Sequence, residues 1–211
     1  MLSGDWQTIS SGPVHQRIGN AARNGPLVFL DPGQNIIGFH LYDGQIRVAS
    51  IVNGNFDGFF SIALDELNVL DMCFLSARHL ESNKPVMAVL HEDTRHLRHL
   101  KTYIIDVYAK EIEDGAWFQS SMVNTAHMLI PVHSYGGLML VGESMISYFS
   151  SQNDEYSIPV HETAFECYAK IDDERYLLSD KVGHIYMFVL IVSEKRVRDI
   201  SYQRLGREAQ V

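Results

Sequence analysis

The chain is short of the residues that mark several classes of protein. Only two of its 211 residues are cysteine, and no Asn-x-Ser/Thr glycosylation acceptor occurs. The N-terminus lacks the basic-then-apolar order of a signal peptide. The longest apolar run, residues 185–192, is far shorter than the roughly 18 to 20 residues of a membrane helix. These absences favour a reduced intracellular compartment and no membrane span, with Cys73 and Cys167 predicted to be small core residues.

Positive charge is also scarce. The 17 Lys and Arg residues stand against 26 Asp and Glu, which gives a formal net charge of −9. This balance argues against a chain whose main task is to neutralise nucleic-acid phosphates, although it leaves a local basic patch open. With 46% hydrophobic and 20% charged residues, the composition predicts one globular domain.

What the sequence does contain is one short pattern repeated four times: an apolar strand, a tight polar turn and a second apolar strand. The copies begin at residues 36, 86, 138 and 176. Self-similarity at about 40 to 50 residues is typical of propeller blades or other stacked all-β units. The sharpest turn is Asp43-Gly44, because a two-residue reversal needs positive φ, which Asp and Gly adopt at low cost.

Further apolar runs complete the predicted fold. They cover residues 27–30, 59–64, 69–75, 126–130 and 164–171. Together with the hairpins they supply about four blades of four antiparallel strands, while residues 77–85 and 150–158 are predicted loops and the run 185–192 a buried strand. The fold class is therefore all-β, a partial, open β-propeller in which residues 1–211 are a fragment of a single domain without its closing blades. Such an array exposes the apolar faces of its first and last blades.

One His-rich segment raises the question of a metal site. His91, His96 and His99, with Glu92 or Asp93, offer the imidazole and carboxylate groups that zinc uses. A structural zinc site usually has four closed ligands, often with cysteine, and no cysteine is near. A solvated surface loop is the simpler interpretation, so neither a metal nor a cofactor is predicted.

An enzyme is not predicted either. Ser144 follows Gly142-Glu143 in a partial nucleophile elbow, but Ile146 stands where that motif requires its second glycine. Neither G-x-G-x-x-G nor a P-loop occurs. A catalytic function would rest on residues without partners.

Two features could suggest nucleic-acid binding. The first is a set of tyrosines on predicted strands: Tyr42, Tyr103, Tyr148 and Tyr186. Filling of the core between blades is the simpler interpretation, since basic residues are absent around Tyr42, Tyr148 and Tyr186. The second is a basic C-terminal segment that contains Lys195, Arg196, Arg198, Arg204 and Arg207. Acidic residues in the same segment reduce its net positive charge. This favours a solvent-exposed strand edge over a nucleic-acid-binding site.

Collinear matches along the chain carry a resemblance to a known family. They comprise Arg17-Ile18-Gly19, Leu30-Asp31-Pro32, residues 37–48, residues 64–71, Phe74-Leu75, residues 99–103, Gly115-Ala116-Trp117, Val141-Gly142-Glu143 and residues 175–180. With these motifs the chain resembles the first propeller of the large subunits of damage-specific DNA-binding proteins, the adaptors of cullin 4 ubiquitin ligases. Matches in the same order over nearly the whole chain are more specific than any one of them.

The resemblance implies more than this chain contains. Family members have three seven-bladed propellers and a helical C-terminal domain; the middle propeller docks cullin 4, and the first and third form a cleft for substrate receptors. We therefore expect a non-enzymatic scaffold of a cullin 4 ligase, linked to DNA damage recognition and repair through protein partners, in the nucleus and cytoplasm. The alternative is a nucleic-acid-binding propeller of the related splicing and messenger-RNA 3′-end processing group. Partner-binding residues are not assigned.

The chain also departs from the family pattern. Asn20-Ala21 follows Arg17-Ile18-Gly19 where the family usually reads R-P, and Ala63 precedes Leu64 where the family usually has a basic residue. Both changes remove positive charge at positions that we expect to be exposed, which puts family contacts there in doubt.

Overall fold

The computed structural model is built from β-strands. It describes residues 19–206 except for 34, 54, 77–83, 123–124, 151–154 and 162–163, and it describes the side chains of residues 116–122 in no detail. Sixteen strands form in these residues, grouped in four four-stranded sheets, which we call blades 1 to 4. The described part of the chain contains no helix of the length and apolarity that a membrane span requires. The prediction of an all-β, partial propeller is confirmed.

Each blade consists of four strands that are consecutive in sequence. Blade 1 comprises β1 Leu27–Leu30, β2 Ile36–Tyr42, β3 Gln45–Val52 and β4 Asn55–Ala63. Blade 2 comprises β5 Val69–Leu75, β6 Val86–Glu92, β7 Arg98–Asp106 and β8 Glu111–Met122. Blade 3 comprises β9 Met128–Pro131, β10 Leu138–Val141, β11 Met145–Phe149 and β12 Glu155–Pro159. Blade 4 comprises β13 Phe165–Lys170, β14 Arg175–Asp180, β15 Ile185–Ser193 and β16 Arg196–Leu205.

The strands of a blade follow one another as an antiparallel meander. The hairpin predicted at Asp43-Gly44 is present: Tyr42 pairs with Gln45, and Gly44 has a φ of +77°. The first strand of blade 2, β5, contacts the first strands of blades 1 and 3, β1 and β9, and the outer strand β12 contacts β16. The blades therefore stack side by side, with their first strands along one edge of the array.

Three apolar cores fill the three junctions between blades. Phe29, Val48 and Phe74 belong to the core between blades 1 and 2, where the Phe29 and Phe74 ring centroids are 5.0 Å apart. The core between blades 2 and 3 includes Leu90, and the core between blades 3 and 4 includes Phe188. Because strand side chains alternate between the two faces, each middle blade contributes to two cores.

Within the described residues, each terminal blade buries only one face. On blade 1 the side chains of Val28, Leu30 and Phe59 are exposed, and on blade 4 those of Ile185 and Ile191 are exposed. These exposed apolar faces agree with the prediction for an open array. They also correct the interpretation of residues 185–192 as a buried strand, since alternate residues of β15 face solvent.

Two further predictions were wrong in part. Cys73 is a buried core residue, whereas Cys167 is exposed on β13, the first strand of the terminal blade 4, in which residues 166–170 are all exposed. The predicted loop 150–158 overlaps β12, which runs to Pro159 and whose exposed or half-exposed residues do not resemble a core strand. Most of the other predicted loop, residues 77–85, lies outside the described residues.

Candidate interaction surface

One end of the blade array carries the turns between the second and third strands and the connections from blade to blade. We call this end the upper face; among the described residues it includes 43–44, 64–68, 93–97, 125–127, 142–144, 160–161, 164 and 181–184. The turns and connections are joined by backbone hydrogen bonds. Leu64 N donates to Gly44 O at 2.9 Å, and Lys181 N donates to Ala164 O at 3.2 Å. The upper face is therefore a continuous, braced surface.

A cleft of about 810 Å³ opens on the upper face between blades 2, 3 and 4. Its titratable lining comprises Asp71, Arg98, His127, Glu143, Glu166 and Lys181. The first strands β5 and β13 and the residues just before β9 form its walls. The cleft is polar and carries charges of both signs, which suits the recognition of a polar partner.

Asp71 joins blades 2 and 3 at the base of this cleft. Its Oδ1 accepts a hydrogen bond from Met72 N at 2.8 Å, and its Oδ2 accepts one from Leu129 N of β9 at 2.7 Å. Burial raises the pKa of Asp71 to about 6, although these hydrogen bonds and nearby His127 act in the opposite direction. In the sequence, Asp71 is a single carboxylate within an otherwise apolar run. This pattern was the available signal that the position has a special role.

His127 joins blades 3 and 4. Its Nδ1 lies 2.9 Å from Thr125 O, and its Nε2 lies 2.7 Å from Phe165 O at the start of β13. The neighbouring backbone is held as well, since His127 N donates to Val141 O at 2.9 Å. No sequence pattern pointed to this residue, because its partners are carbonyl groups supplied by the fold.

The remaining charged groups of the cleft differ in how they are held. Arg98 is braced, with its Nε 3.4 Å from Glu92 Oε2 and its Nη1 donating to a backbone carbonyl of the 125–127 connection. Within the described residues, Glu143, Glu166 and Lys181 form no ion pair with the protein. Their charges are available to a partner at the rim.

A second polar cluster closes the upper end of the junction between blades 1 and 2. The Tyr103 hydroxyl donates to Glu66 Oε1 at 2.5 Å, and Lys101 Nζ lies 3.4 Å from the same oxygen. The Lys101 ammonium also lies 4.5 Å from the centre of the Tyr103 ring and 3.2 Å from Asp114. Burial, followed by the bond to Glu66, raises the pKa of Tyr103 well above its usual value. This network fixes the connection from blade 1 to blade 2.

The His-rich segment forms side-chain pairs around the β6–β7 turn. His96 Nδ1 lies 2.8 Å from Glu92 Oε1, and His99 Nε2 lies 3.1 Å from Asp93 Oδ2. The rings of His91 and His99 stack with centroids 5.2 Å apart. Over the described ranges, no three His, Cys, Asp or Glu side chains are grouped so as to hold a metal ion.

The other sequence candidates are dispersed. Ser144 is exposed in the β10–β11 turn, and its hydroxyl forms no hydrogen bond with a histidine among the residues that the structure describes. Tyr103, Tyr148 and Tyr186 are buried, which confirms their interpretation as core residues, whereas Tyr42 is half-buried. Tyr148 donates its hydroxyl to a turn carbonyl at 2.7 Å.

The basic segment and the two departures from the family pattern lie on the surface. Arg198, on the outermost strand β16, pairs with Glu194 at 3.3 Å. Lys195, Arg196 and Arg204 are exposed, and Arg207 lies outside the described residues. Asn20 and Ala63 are both exposed, as expected.

Four stacked four-stranded sheets with a braced upper face define an open β-propeller. Comparison with known proteins then gives the family: the model described as the RSE1/DDB1/CPSF1 first beta-propeller matches residues 2–211. The chain belongs to this family, and the resemblance found in the sequence is confirmed.

Individual relatives agree. The chain is 36% identical over 203 residues to DNA damage-binding protein 1 of Oryza sativa subsp. japonica, covering 94% of this chain and 18% of that protein. It is 36% identical over 208 residues to DNA damage-binding protein 1b of Arabidopsis thaliana, covering 97% of this chain and 19% of that protein. The match to DNA damage-binding protein 1 of Solanum lycopersicum is 34% identical over 203 residues. The chain therefore spans about a fifth of the length of these relatives.

Proposed function

We propose that this chain is part of a non-enzymatic propeller scaffold of a cullin 4 ubiquitin ligase, linked to DNA damage recognition and repair through protein partners. Residues 1–211 would contribute blades to a single propeller, in a protein of the nucleus and cytoplasm. The observation that carries the proposal is the family match over residues 2–211, together with the identity to proteins named DNA damage-binding protein 1.

The physics of the fold supports a positional mechanism. Buried junctions between blades hold the surface loops in fixed relative positions. A rigid scaffold that binds a receptor and a ligase together makes the transfer step effectively intramolecular, which raises the local concentration of one partner near the other. Such a mechanism requires no catalytic side chain in the scaffold.

We assign partner binding to the upper face. Leu67 and Val182, 65% and 79% exposed, project from a connection and a turn there. On the same face, Glu143, Glu166 and Lys181 line the cleft with charges that form no ion pair within the described part of the protein. Apolar anchors surrounded by polar and charged groups are typical of protein–protein interfaces.

Affinity capture tests the proposal. The protein that carries this chain, tagged and expressed in its own cells, is expected to recover cullin 4 and receptor propellers, whereas the 211-residue chain alone recovers no cullin. Val182→Asp on the upper face should reduce receptor recovery. The matched control is Tyr108→Asp, because Tyr108 is 99% exposed on the β7–β8 turn at the opposite end of the blades. Capture without any ligase component would refute the scaffold role.

A filter-binding titration with single- and double-stranded nucleic acid addresses the alternative. A direct binder would show appreciable affinity that falls steeply as salt rises, because phosphate contacts release counterions. The scaffold proposal predicts no retention even at low salt, in keeping with the net charge of −9.

A further inference from the structure

Two β-bulges lie in the walls of the upper-face cleft. The pairing of β5 with β6 shifts register at Leu70, and the pairing of β13 with β14 shifts register at Glu166. Both residues line the cleft. A bulge interrupts strand pairing and turns a side chain in a new direction, and bulges are frequent beside functional sites. The first strands of blades 2 and 4 therefore carry the same irregularity on either side of blade 3.

Two carboxylates line the cleft from different blades. Glu166 lies at the bulge of β13 in blade 4, and Glu143 lies in the β10–β11 turn of blade 3. The turn is held in place, since Glu143 N donates to Thr125 Oγ1 at 3.2 Å. Both glutamate side chains are exposed, and neither forms an ion pair with any residue that the structure describes. Their negative charges are therefore presented to a ligand in the cleft.

The cations of the cleft do not balance these two charges. The Arg98 guanidinium already contacts Glu92 and donates to a backbone carbonyl. Lys181, on the β14–β15 turn, supplies one positive charge against the two of Glu143 and Glu166. Electrostatic complementarity thus favours a ligand that carries positive charge.

We propose that the cleft binds an arginine side chain of a partner protein, with the guanidinium between Glu143 and Glu166. A guanidinium carries five N–H donors in one plane, so it can donate to two carboxylates at once. Leu70 and Met128 line the same cleft and offer apolar surface to the aliphatic part of the arginine. The volume of about 810 Å³ has room for a peptide segment, since ligand pockets measure about 300 to 1,000 Å³. The inference rests on the proposed function only in assigning a protein partner to the upper face.

An NMR titration of the 211-residue chain tests the site. The probes are two blocked pentapeptides with glycine at four positions and either arginine or citrulline, its neutral isostere, in the centre. We expect the arginine peptide to shift the amide signals of residues 143 and 166. It should bind at least about tenfold more tightly than the citrulline peptide, because the charge-assisted hydrogen bonds are lost with the charge. Absence of binding, equal affinity of the two peptides, or shifts confined to residues outside the cleft would overturn the proposal.

Neutral variants identify the contacts. Glu143→Gln and Glu166→Gln should each weaken binding of the arginine peptide about tenfold, because each removes one charged acceptor from an exposed position. The matched control is Glu111→Gln, an exposed carboxylate at the opposite end of the blades, which should bind like the parent. Unchanged affinity in either cleft variant would contradict the assignment.

The titration and the affinity capture fail independently. Recovery of cullin 4 by the protein that carries this chain, without arginine-selective binding in the cleft, would overturn the arginine site alone. Arginine-selective binding without recovery of any ligase component would refute the scaffold role and leave the arginine site standing.

Discussion

The middle strands of blades 2 and 4 read alike in sequence but lie in different environments. In β6 the five residues from Val86 to Leu90 are all buried, whereas in β15 buried residues alternate with exposed or half-buried ones from Ile185 to Leu190. The difference follows from neighbours: blade 2 has a blade on each side, and within the described array blade 4 has one on a single side. An apolar run therefore indicates a strand whose two faces can both be buried. The number of neighbouring blades determines how many of those faces are covered.

We also expect the middle blades and the terminal blades to have different roles. Middle blades provide rigidity, because changes there disturb two junctions at once. The terminal blades keep apolar faces exposed, at Val28 and Leu30 in blade 1 and at Ile185 and Ile191 in blade 4. Matched substitutions in a middle and a terminal blade should therefore differ in their effect on folding stability.

The largest contrast is expected for two turn glycines. Gly137, in middle blade 3, has a φ of +78°, and an added methyl group would overlap the Phe149 carbonyl. Gly183, in terminal blade 4, has a φ of +92° and nothing near the position of a methyl group. Gly137→Ala should lower the free energy of unfolding by about 4 kcal/mol, and Gly183→Ala by about 1 kcal/mol. Urea denaturation measures the unfolding free energy of both variants. Equal losses would contradict the expected contrast, because they would mean that Phe149 moves to make room for the methyl group.

A core truncation gives the next contrast. Leu90 is fully buried between blades 2 and 3, and Ile191 is 46% exposed on blade 4. Leu90→Ala should cost about 3 kcal/mol of folding stability, because it removes apolar burial and leaves a cavity. Ile191→Ala should cost less than about 1 kcal/mol. Thermal and urea unfolding of the two variants would contradict the comparison if Ile191→Ala proved the more damaging.

Two carboxylates should give pH dependences of opposite sign. Burial raises the pKa of Asp71, at the junction of blades 2 and 3, to about 6. Its protonated form therefore contributes stability below about pH 4 that is lost as pH rises through about 6, a change of about 2 to 3 kcal/mol. For Asp180 in blade 4, burial opposes ionisation, but hydrogen bonds from His184 and the Val182 amide lower the pKa. Its contribution is present above the unfolded-state pKa and is lost as pH falls.

Asparagine substitutions separate the two carboxylates. Asp71→Asn should remove the decline in unfolding free energy between about pH 4 and 6. Asp180→Asn should instead lower stability at neutral pH and match the parent in acid. Urea denaturation measures both variants, from about pH 4 to 7 for Asp71→Asn and from neutral pH down to below about pH 3 for Asp180→Asn. Parent-minus-variant differences that change with pH in the same direction would refute the assignment.

The four hairpins could be predicted because their signals are local. The strands β1 and β5 begin and end where the sequence indicated, and β10 begins where it indicated. The Asp43-Gly44 turn was found because its two residues suit positive φ on their own. The family could also be recognised, since its motifs are collinear along the chain.

The outer strands and the polar links could not be predicted. β12 and β16 are mostly exposed, so their residues carry no continuous apolar pattern. The bonds of His127 to carbonyl groups exist only after residues 125 and 165 are brought together by folding. Cys167 sits in an apolar stretch like that of Cys73, and only the arrangement of blades distinguishes their exposure.

Thiol labelling of the folded 211-residue chain tests the difference between middle and terminal blades most directly. Cys73 is buried between blades 2 and 3, where burial raises the pKa of its thiol, and Cys167 is exposed on β13, the first strand of blade 4. With a thiol reagent under native conditions, followed by peptide mapping, we predict rapid modification of Cys167 and modification of Cys73 only on unfolding, at least about 100-fold more slowly. Equal labelling of the two thiols, or faster labelling of Cys73, would contradict the blade arrangement.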